Sequence, residues 1–333
     1  MKRATAAPQH AHTFAVLRHL ADGEFHSGQA IGQALGLARS TVHEAVRDVA
    51  TLGLTLQRVR GRGYRLLRPI IWLDAAAIRP HLAEQAAALS FDLREQGDSS
   101  NSLLLQAAAQ GAPSGRVLAL EWQSAGRGRW GRPWLSGLGD ALTFSLLWRY
   151  PQGLAALSGL SLAVGVALLR ALHELGVTAA RLKWPNDVIL PQGKLAGVLV
   201  EAQGDMLGPS VVVVGVGLNL WLDEAAAARI GQPVADLAQQ GIPLAQRNRV
   251  FGVLLKHLGR ILSDFGAQGF APLRTEWERH HAWQGQTVCL SLPDGTQWEG
   301  VARGVNEAGA LRVSNGGGER WFTAGEISVR RPA

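Results

Sequence analysis

Cysteine is almost missing from this chain: Cys289 is the single one in 333 residues. One thiol excludes a disulfide framework and any multi-cysteine zinc site, and it suits a reducing compartment. Charged residues are also few, 18% against 47% hydrophobic, which is the balance of a folded chain and excludes a disordered one. The basic start MKRATAAPQHAH is followed by no apolar run of the signal-peptide kind. Long hydrophobic runs are short of what a membrane needs. The uncharged stretch 153–169 has 17 residues, below the roughly 20 of a spanning helix, and Arg170, His173 and Glu174 follow at once. Rich in Ala, Gly and Ser, it reads as a buried core helix, so no membrane association is expected.

Lysine is the other scarcity, with four residues against 29 arginines. The net charge is +7, and residues 1–70 hold ten Lys or Arg against four acids, or +6, leaving +1 for the rest. A basic module attached to a near-neutral body is the electrostatic footprint of nucleic-acid binding.

Within that module, Phe14, Leu17 and Leu20 recur at helical spacing. Ser27 can cap a second helix ending at Gly36, and a third begins near Arg39 with Val42, Ala45, Val46 and Val49 inward. LTLQRV, the turn RGRG and YRLL then read as a hairpin. The pattern predicts a winged helix-turn-helix over 1–68. Arg39, Ser40, Thr41, His43 and Arg47 would face the major groove, and Arg60 and Arg62 of the wing would reach the backbone. Glu44 and Asp48, on the same helix, would repel phosphates unless they read a base.

Residues 69–283 alternate between strand and helix patterns. FDLREQ (91–96), RVLALEW (116–122), LTFSLLW (142–148), ARLKWP (180–185), KLAGVLVE (194–201) and SVVVVGVGLNL (210–220) read as strands. Segments 101–110 and 154–175 read as helices. The expectation is an α+β domain, a mixed sheet with helices on one side. From 284 to 333, short alternating strands broken by Pro-Asp-Gly, Asn-Glu-Ala-Gly and Asn-Gly-Gly-Gly turns predict a small SH3-like β-barrel.

Residues 121–134, EWQSAGRGRWGRPW, carry the G-x-G-x-x-G spacing of a dinucleotide turn. That turn must open a helix, yet Gly131 is followed by RPWLSG, and no acid stands about twenty residues on to hold a ribose. Three arginines on a glycine-bearing loop describe an anion clamp instead: glycine lets the backbone close, and guanidinium groups bind carboxylate or phosphate bidentately. KWPNDV (183–188) and GKLAGVLVE (193–201) contribute two of the scarce lysines, Lys183 and Lys194. A compact ammonium at Lys194 suits charge developing at phosphorus. Asn186-Asp187 fits either a two-residue hairpin turn or a metal or substrate role. Gly197, Gly215 and Gly217, inside strands, imply close approach of a ligand or of another backbone.

GEFHSG with the winged helix, DSSNS (98–102), QSAGRGRWGR, KWPND, KLAGVLVE, GVGLN (215–219) and GEISVR (325–330) together resemble the bifunctional biotin–protein ligases of the biotin operon repressor type. The resemblance runs over about residues 13–330, in order. It implies that biotin and ATP form biotinyl-5′-AMP, which then biotinylates a lysine of a biotin carboxyl carrier protein, in the cytoplasm. By the same resemblance Lys194, Arg129 and Arg127 are catalytic. Ser99, Ser100, Asn101, Gln123, Arg127, Gly128, Arg129, Lys194, Gly197, Gly215 and Gly217 surround biotin. Arg127, Arg129, Arg132, Trp134, Lys183, Asn186, Asn219, Glu326 and Arg330 meet the nucleotide, with Asp187 beside Mg²⁺. Operator DNA is the implied second partner. Ser100 stands where the family more often has threonine, which keeps the hydroxyl, and Ala38 where a serine often caps the recognition helix. A lipoate-type ligase and a biotin-sensing regulator without ligase activity are the competing readings. If the strand 210–220 lies at a sheet edge, it would also pair protomers into a homodimer.

Overall fold

The structure is a computed structural model that describes residues 10–292, 295–323 and 328–330. It begins with three helices, α1 (Thr13–His19), α2 (Gly28–Leu35) and α3 (Arg39–Asp48), and a hairpin, β1 (Leu56–Val59) with β2 (Gly63–Leu66). Ser27 caps α2, its Oγ accepting from the Ala30 amide at 3.0 Å, and Gly36 ends that helix at φ 66. Ala38 supplies no side-chain cap to α3. Val42 and Ala45 of α3 meet Phe14, Leu17 and Ile31 in one apolar cluster, which also takes in Trp122 and Leu138 from the next unit. In the hairpin Val59 stands opposite Gly63, so Arg60, Gly61 and Arg62 form the turn, with Gly61 at φ 81. Asp48 is turned inward, accepting from the His10 amide at 2.7 Å, while Glu44 stays exposed.

After a short helix α4 (Ala75–Ile78), the described residues of the central unit build one seven-stranded sheet in the order β3-β4-β5-β9-β8-β7-β6. Its strands are β3 (Ser90–Gly97), β4 (Arg116–Gln123), β5 (Ala141–Tyr150), β6 (Arg181–Lys183), β7 (Asp187–Leu190), β8 (Gly193–Gly204) and β9 (Ser210–Asn219). β3 runs parallel to β4, as the intervening helix α5 (Ser100–Ala109) requires, and the other pairings are antiparallel. The sheet is therefore mixed, as expected. Its helices are not confined to one side. α6 (Leu160–Glu174) and α8 (Arg247–Gln268) cover the face carrying Leu142, Phe144, Leu146, Val212 and Val214. α5 covers the other face, where Leu104 and Ala108 pack on Leu118, Leu120, Leu147 and Val213. Strands apolar on both faces carry no periodicity that tells one side from the other, which is why the sequence did not place α5.

Two further expectations change. β9 is interior, bonded to β5 and to β8 along its length, so it offers no free edge for pairing protomers. β7 was not anticipated as a strand: Lys183 pairs with Asp187, so the turn is Trp184-Pro185-Asn186, with a cis bond before the proline, and Asp187 is a strand residue. The segment Leu154–Glu174 is long and apolar enough, at mean hydropathy 1.8, to cross a membrane by length and composition. In the fold its α6 portion is the centre of the core, with Leu162, Val166 and Leu169 buried.

α7 (Glu224–Ile230) follows β9, and α9 (Arg274–His280) leads into an antiparallel sheet of β10 (Thr287–Ser291), β11 (Gln297–Val305), β12 (Leu311–Asn315), β13 (Gly318–Phe322) and β14 (Ser328–Arg330). Its order is β13-β12-β11-β10-β14, and among the described residues no β13–β14 pairing closes it into a barrel. Val288, Leu290 and Val313 join the central core, and the buried Trp184 indole donates to the Gly309 carbonyl at 3.0 Å. The small sheet is thereby fixed at the end of the central sheet where β6, β7 and the lysines lie.

Candidate active site

The uncovered part of the α5 face is a cavity of about 440 Å³. β5, β9 and β8 form its floor, where Thr143, Gly217, Gly215 and Gly197 occupy the positions facing up. The glycines make room for side chains rather than for backbone: a Cβ at Gly215 would overlap Asn101, and one at Gly217 would overlap the Trp134 indole. The residues assigned above to biotin or nucleotide between Ser99 and Asn219 all line this cavity. Arg330 lies in β14, its backbone paired with Cys289, and Glu326 lies outside the described residues. The DNA-directed residues are elsewhere, on α3 and the hairpin turn.

The arginine loop does not open a helix. It folds on itself, Gly128 N donating to the Arg132 carbonyl at 2.7 Å and Trp134 N to the Gly126 carbonyl at 2.8 Å, and it runs on towards β5. Trp130 at its tip adopts φ 58, a left-handed conformation rare outside glycine, and is 43% exposed between the guanidinium groups of Arg129 and Arg132.

One end of the cavity gathers charge. Lys194 Nζ lies 2.7 Å from Asp187 Oδ1, and Lys183 Nζ lies 3.9 Å from Oδ2. Arg129 donates to Asn186 Oδ1 at 3.2 Å, and Asn186 Nδ2 is held by the Val198 carbonyl at 2.7 Å. Asn219 Nδ2 is tied to the Ala235 carbonyl at 3.0 Å, which braces the wall beside Lys194. Burial holds the Lys183 ammonium below the ordinary lysine range. Asp187 opposes that shift, and Lys194 and Arg132 add to it. Burial likewise lowers Arg129, with Asp187 opposing and Arg132 adding. Among the described residues, six cationic side chains line the cavity against one carboxylate, Asp187.

The other end is a neutral hydrogen-bonding wall from the first turn of α5. Ser100 N donates to Gln123 Oε1 at 2.8 Å, and Ser145 Oγ donates to Asn101 Oδ1 while sharing a hydrogen bond with Ser100 Oγ at 2.7 Å. Arg127 belongs to this end: its guanidinium pairs with Glu201 and Ser102 rather than reaching the lysines. Two residues at the site carried no expectation. Arg229, from α7, lines the cavity, and an arginine in an Ala-rich polar segment gives no signal in a single sequence. Glu201 could have been found, because it continues the period-2 series Gly197, Leu199 along β8.

Comparison with known proteins agrees with this architecture. The Biotin/lipoate A/B protein ligase family model matches residues 94–219, which contain β4 to β9, the end of β3 and the arginine loop. The Biotin protein ligase C terminal domain model matches 285–330. Fold and cavity thus define the class of biotin/lipoate-type protein ligases. The bifunctional ligase/repressor BirA of Escherichia coli (strain K12) is 35% identical over 311 residues, 93% of this chain and 95% of that protein. A biotin–[acetyl-CoA-carboxylase] ligase of Mycobacterium tuberculosis is 34% identical over 77% of this chain and 95% of its own length. The structure of the Aquifex aeolicus biotin protein ligase in complex with biotin and ATP superposes with a TM-score of 0.61 at 28% identity, covering 73% of this chain and 99% of that one. The chain belongs to the biotin protein ligase family.

Proposed function

We propose that the cavity binds biotin and ATP and joins them. The biotin carboxylate attacks the α-phosphorus, the bond to the β-phosphate oxygen breaks, and pyrophosphate leaves biotinyl-5′-AMP behind. A lysine amine of a biotin carboxyl carrier protein then attacks the acyl carbon, forming an amide and releasing AMP and a proton. The observation that carries this reading is the surplus of cations around Asp187 in a part-buried cavity. Negative charge builds at phosphorus in the first step, and preorganised cations in a poorly solvated site stabilise it without a covalent enzyme intermediate. Lys194 and Arg129 are assigned to the reacting carboxylate and α-phosphate, and Lys183, Arg132, Trp134, Asn186 and Asn219 to the nucleotide. Ser99, Ser100, Asn101 and Gln123 are assigned to the biotin rings, with Gly197, Gly215 and Gly217 as the floor beneath them. The arginine loop closes over the adenylate and shields it from water.

Mg²⁺ is proposed as the companion of ATP. The donor set fits an ion carried in by phosphates rather than a dedicated cage. Among the described residues Asp187 is the one carboxylate lining the cavity, and no group of three acids, histidines or cysteines occurs. Bound beside Asp187, the ion would neutralise phosphate charge. The test is biotin-dependent ATP–pyrophosphate exchange, with lipoate and octanoate as controls. Exchange with biotin alone, reduced at least about a hundredfold in Lys194→Ala, is the expected result. Biotin binding without exchange would leave a biotin-sensing regulator instead.

The chain is further proposed to divide at 1–68, 69–283 and 284–333, the first unit acting as a winged helix-turn-helix on operator DNA and the last as an SH3-like barrel. Arg39, Ser40, Arg47, Arg60 and Arg62 are exposed on α3 and the hairpin turn, and Thr41 and His43 are half-buried beside them. Replacing Arg60 and Arg62 with Gln should shallow the slope of log affinity against log salt by about two. An unchanged slope in a filter-binding titration would remove the hairpin from the DNA contact.

A further inference from the structure

On β8, Gly197 stands opposite Asp187 and Gly217, whereas Glu201 stands opposite Val213. Four residues of strand place Glu201 about 13 Å from Gly197. Lys194 is paired at the near end, on Asp187. Arg127 is paired at the far end, its Nη2 2.9 Å from each Glu201 oxygen and its Nη1 on Ser102 Oγ. The Arg127 guanidinium is thus held on the Glu201 carboxylate, apart from the Lys194–Asp187 pair. The same Glu201 Oε2 accepts from Asn101 Nδ2 at 2.8 Å. Asn101 in turn accepts from Ser145 and lies over Gly215. One carboxylate on β8 thus joins the root of the arginine loop to the first turn of α5, across the end of the cavity lined by Ser99, Ser100 and Gln123.

We propose that Glu201 is a positioning residue for biotin, acting through Arg127 and Asn101, and that the Arg127 side chain is a strut for the loop rather than a ligand of the biotin carboxylate. The proposal rests on the reading of this cavity as a biotin-adenylating site. Glu201 is the acceptor that both Arg127 and Asn101 share. Without it the loop root and the α5 turn lose their common anchor, and the wall against the biotin rings loosens while the reacting end stays as built. The consequence falls on biotin affinity more than on the rate of the bound complex.

The experiment is calorimetric titration of the full chain with biotin and with its uncharged carboxamide, alongside exchange kinetics. It compares wild type with Glu201→Gln, Arg127→Met, the double variant and Lys194→Met. Glu201→Gln should weaken biotin about tenfold, the value of a hydrogen bond to a charged group, and kcat for exchange should fall less than affinity. The double variant should be within about twofold of Arg127→Met alone, because both act through one contact. Preference for the acid over the carboxamide should survive in Arg127→Met and be lost in Lys194→Met. The inference is overturned if Glu201→Gln binds biotin as wild type does. It is equally overturned if Arg127→Met loses the preference for the acid, a readout that does not depend on how well the Glu201 variant folds. A wild-type chain that binds no biotin at all overturns the biotin reading itself, and this inference with it.

Discussion

β5, β8 and β9 show two faces built from the same residues in alternation. Towards α6 and α8 they present Leu146, Val198, Val214 and Val216, all buried in one continuous core. Towards the cavity they present Thr143, Gly197, Gly215 and Gly217, whose missing or short side chains leave room for Asn101, Trp134 and a ligand. A strand's period of two lets one sequence do both. The apolar face supplies stability at about 25 cal/mol for each Å² buried, and the glycine face gives up packing to keep a floor at backbone height. The site is therefore a part of the sheet from which side chains have been withheld, beside a part of the same face that α5 fills.

Filling the floor should have the largest effect on function. Gly217→Val needs no unusual backbone, but its side chain would occupy the position of the Trp134 indole. Biotin-dependent exchange should drop by at least about a thousandfold, the loss of a positioned site, while thermal unfolding moves little. Wild-type exchange in that variant would mean that Trp134 and the floor do not shape the site. Leu146→Ala on the opposite face should do the reverse. It empties part of the core and should cost about 2–5 kcal/mol of stability in urea unfolding, with the Kd for biotin unchanged. If biotin binding fell in step with stability, the two faces would not be separable and the comparison would fail.

The extent to which each face could be read from sequence follows the same division. Apolar runs between turn residues located the strands of the cavity floor, and in-strand glycines located the floor, because a glycine in a strand is costly unless something approaches it. Order along a sheet is not periodic, so the sequence leaves open whether the strand 210–220 lies at an edge; it lies between β5 and β8. KWPND marked Lys183 and Asp187 through residue type, but a four-residue strand after a turn is too short for its alternation to show, so the sequence leaves Asn186-Asp187 open to a hairpin turn or to a metal or substrate role. The family resemblance sets Arg127 beside biotin together with Gly128 and Arg129. Its pairing with Glu201, 74 positions away in the chain, is visible only in the structure. Ion pairs over such separations leave no mark in one sequence.

The smallest effect sharpens the contrast within the cavity, between its charged and neutral ends. Lys183 is held below the ordinary lysine range chiefly by burial, with Lys194 and Arg132 adding to the shift and Asp187 resisting it. A lowered pKa means that the ammonium loses its proton at a lower pH than a free lysine does. If the charged form holds the nucleotide, kcat/KM for ATP should decline on the alkaline side ahead of ordinary lysine titration. Bound phosphate favours the charged form, so kcat, which reports the loaded enzyme, should hold to higher pH than kcat/KM. Lys183→Arg keeps a cation that does not titrate in this range and should move the kcat/KM limb upward, with no more than about a threefold change near neutral pH. Glu201→Gln, at the neutral end, should leave the limb where it is. A profile that Lys183→Arg does not move would detach Lys183 from the nucleotide and leave the charged end to Lys194 and the arginine loop.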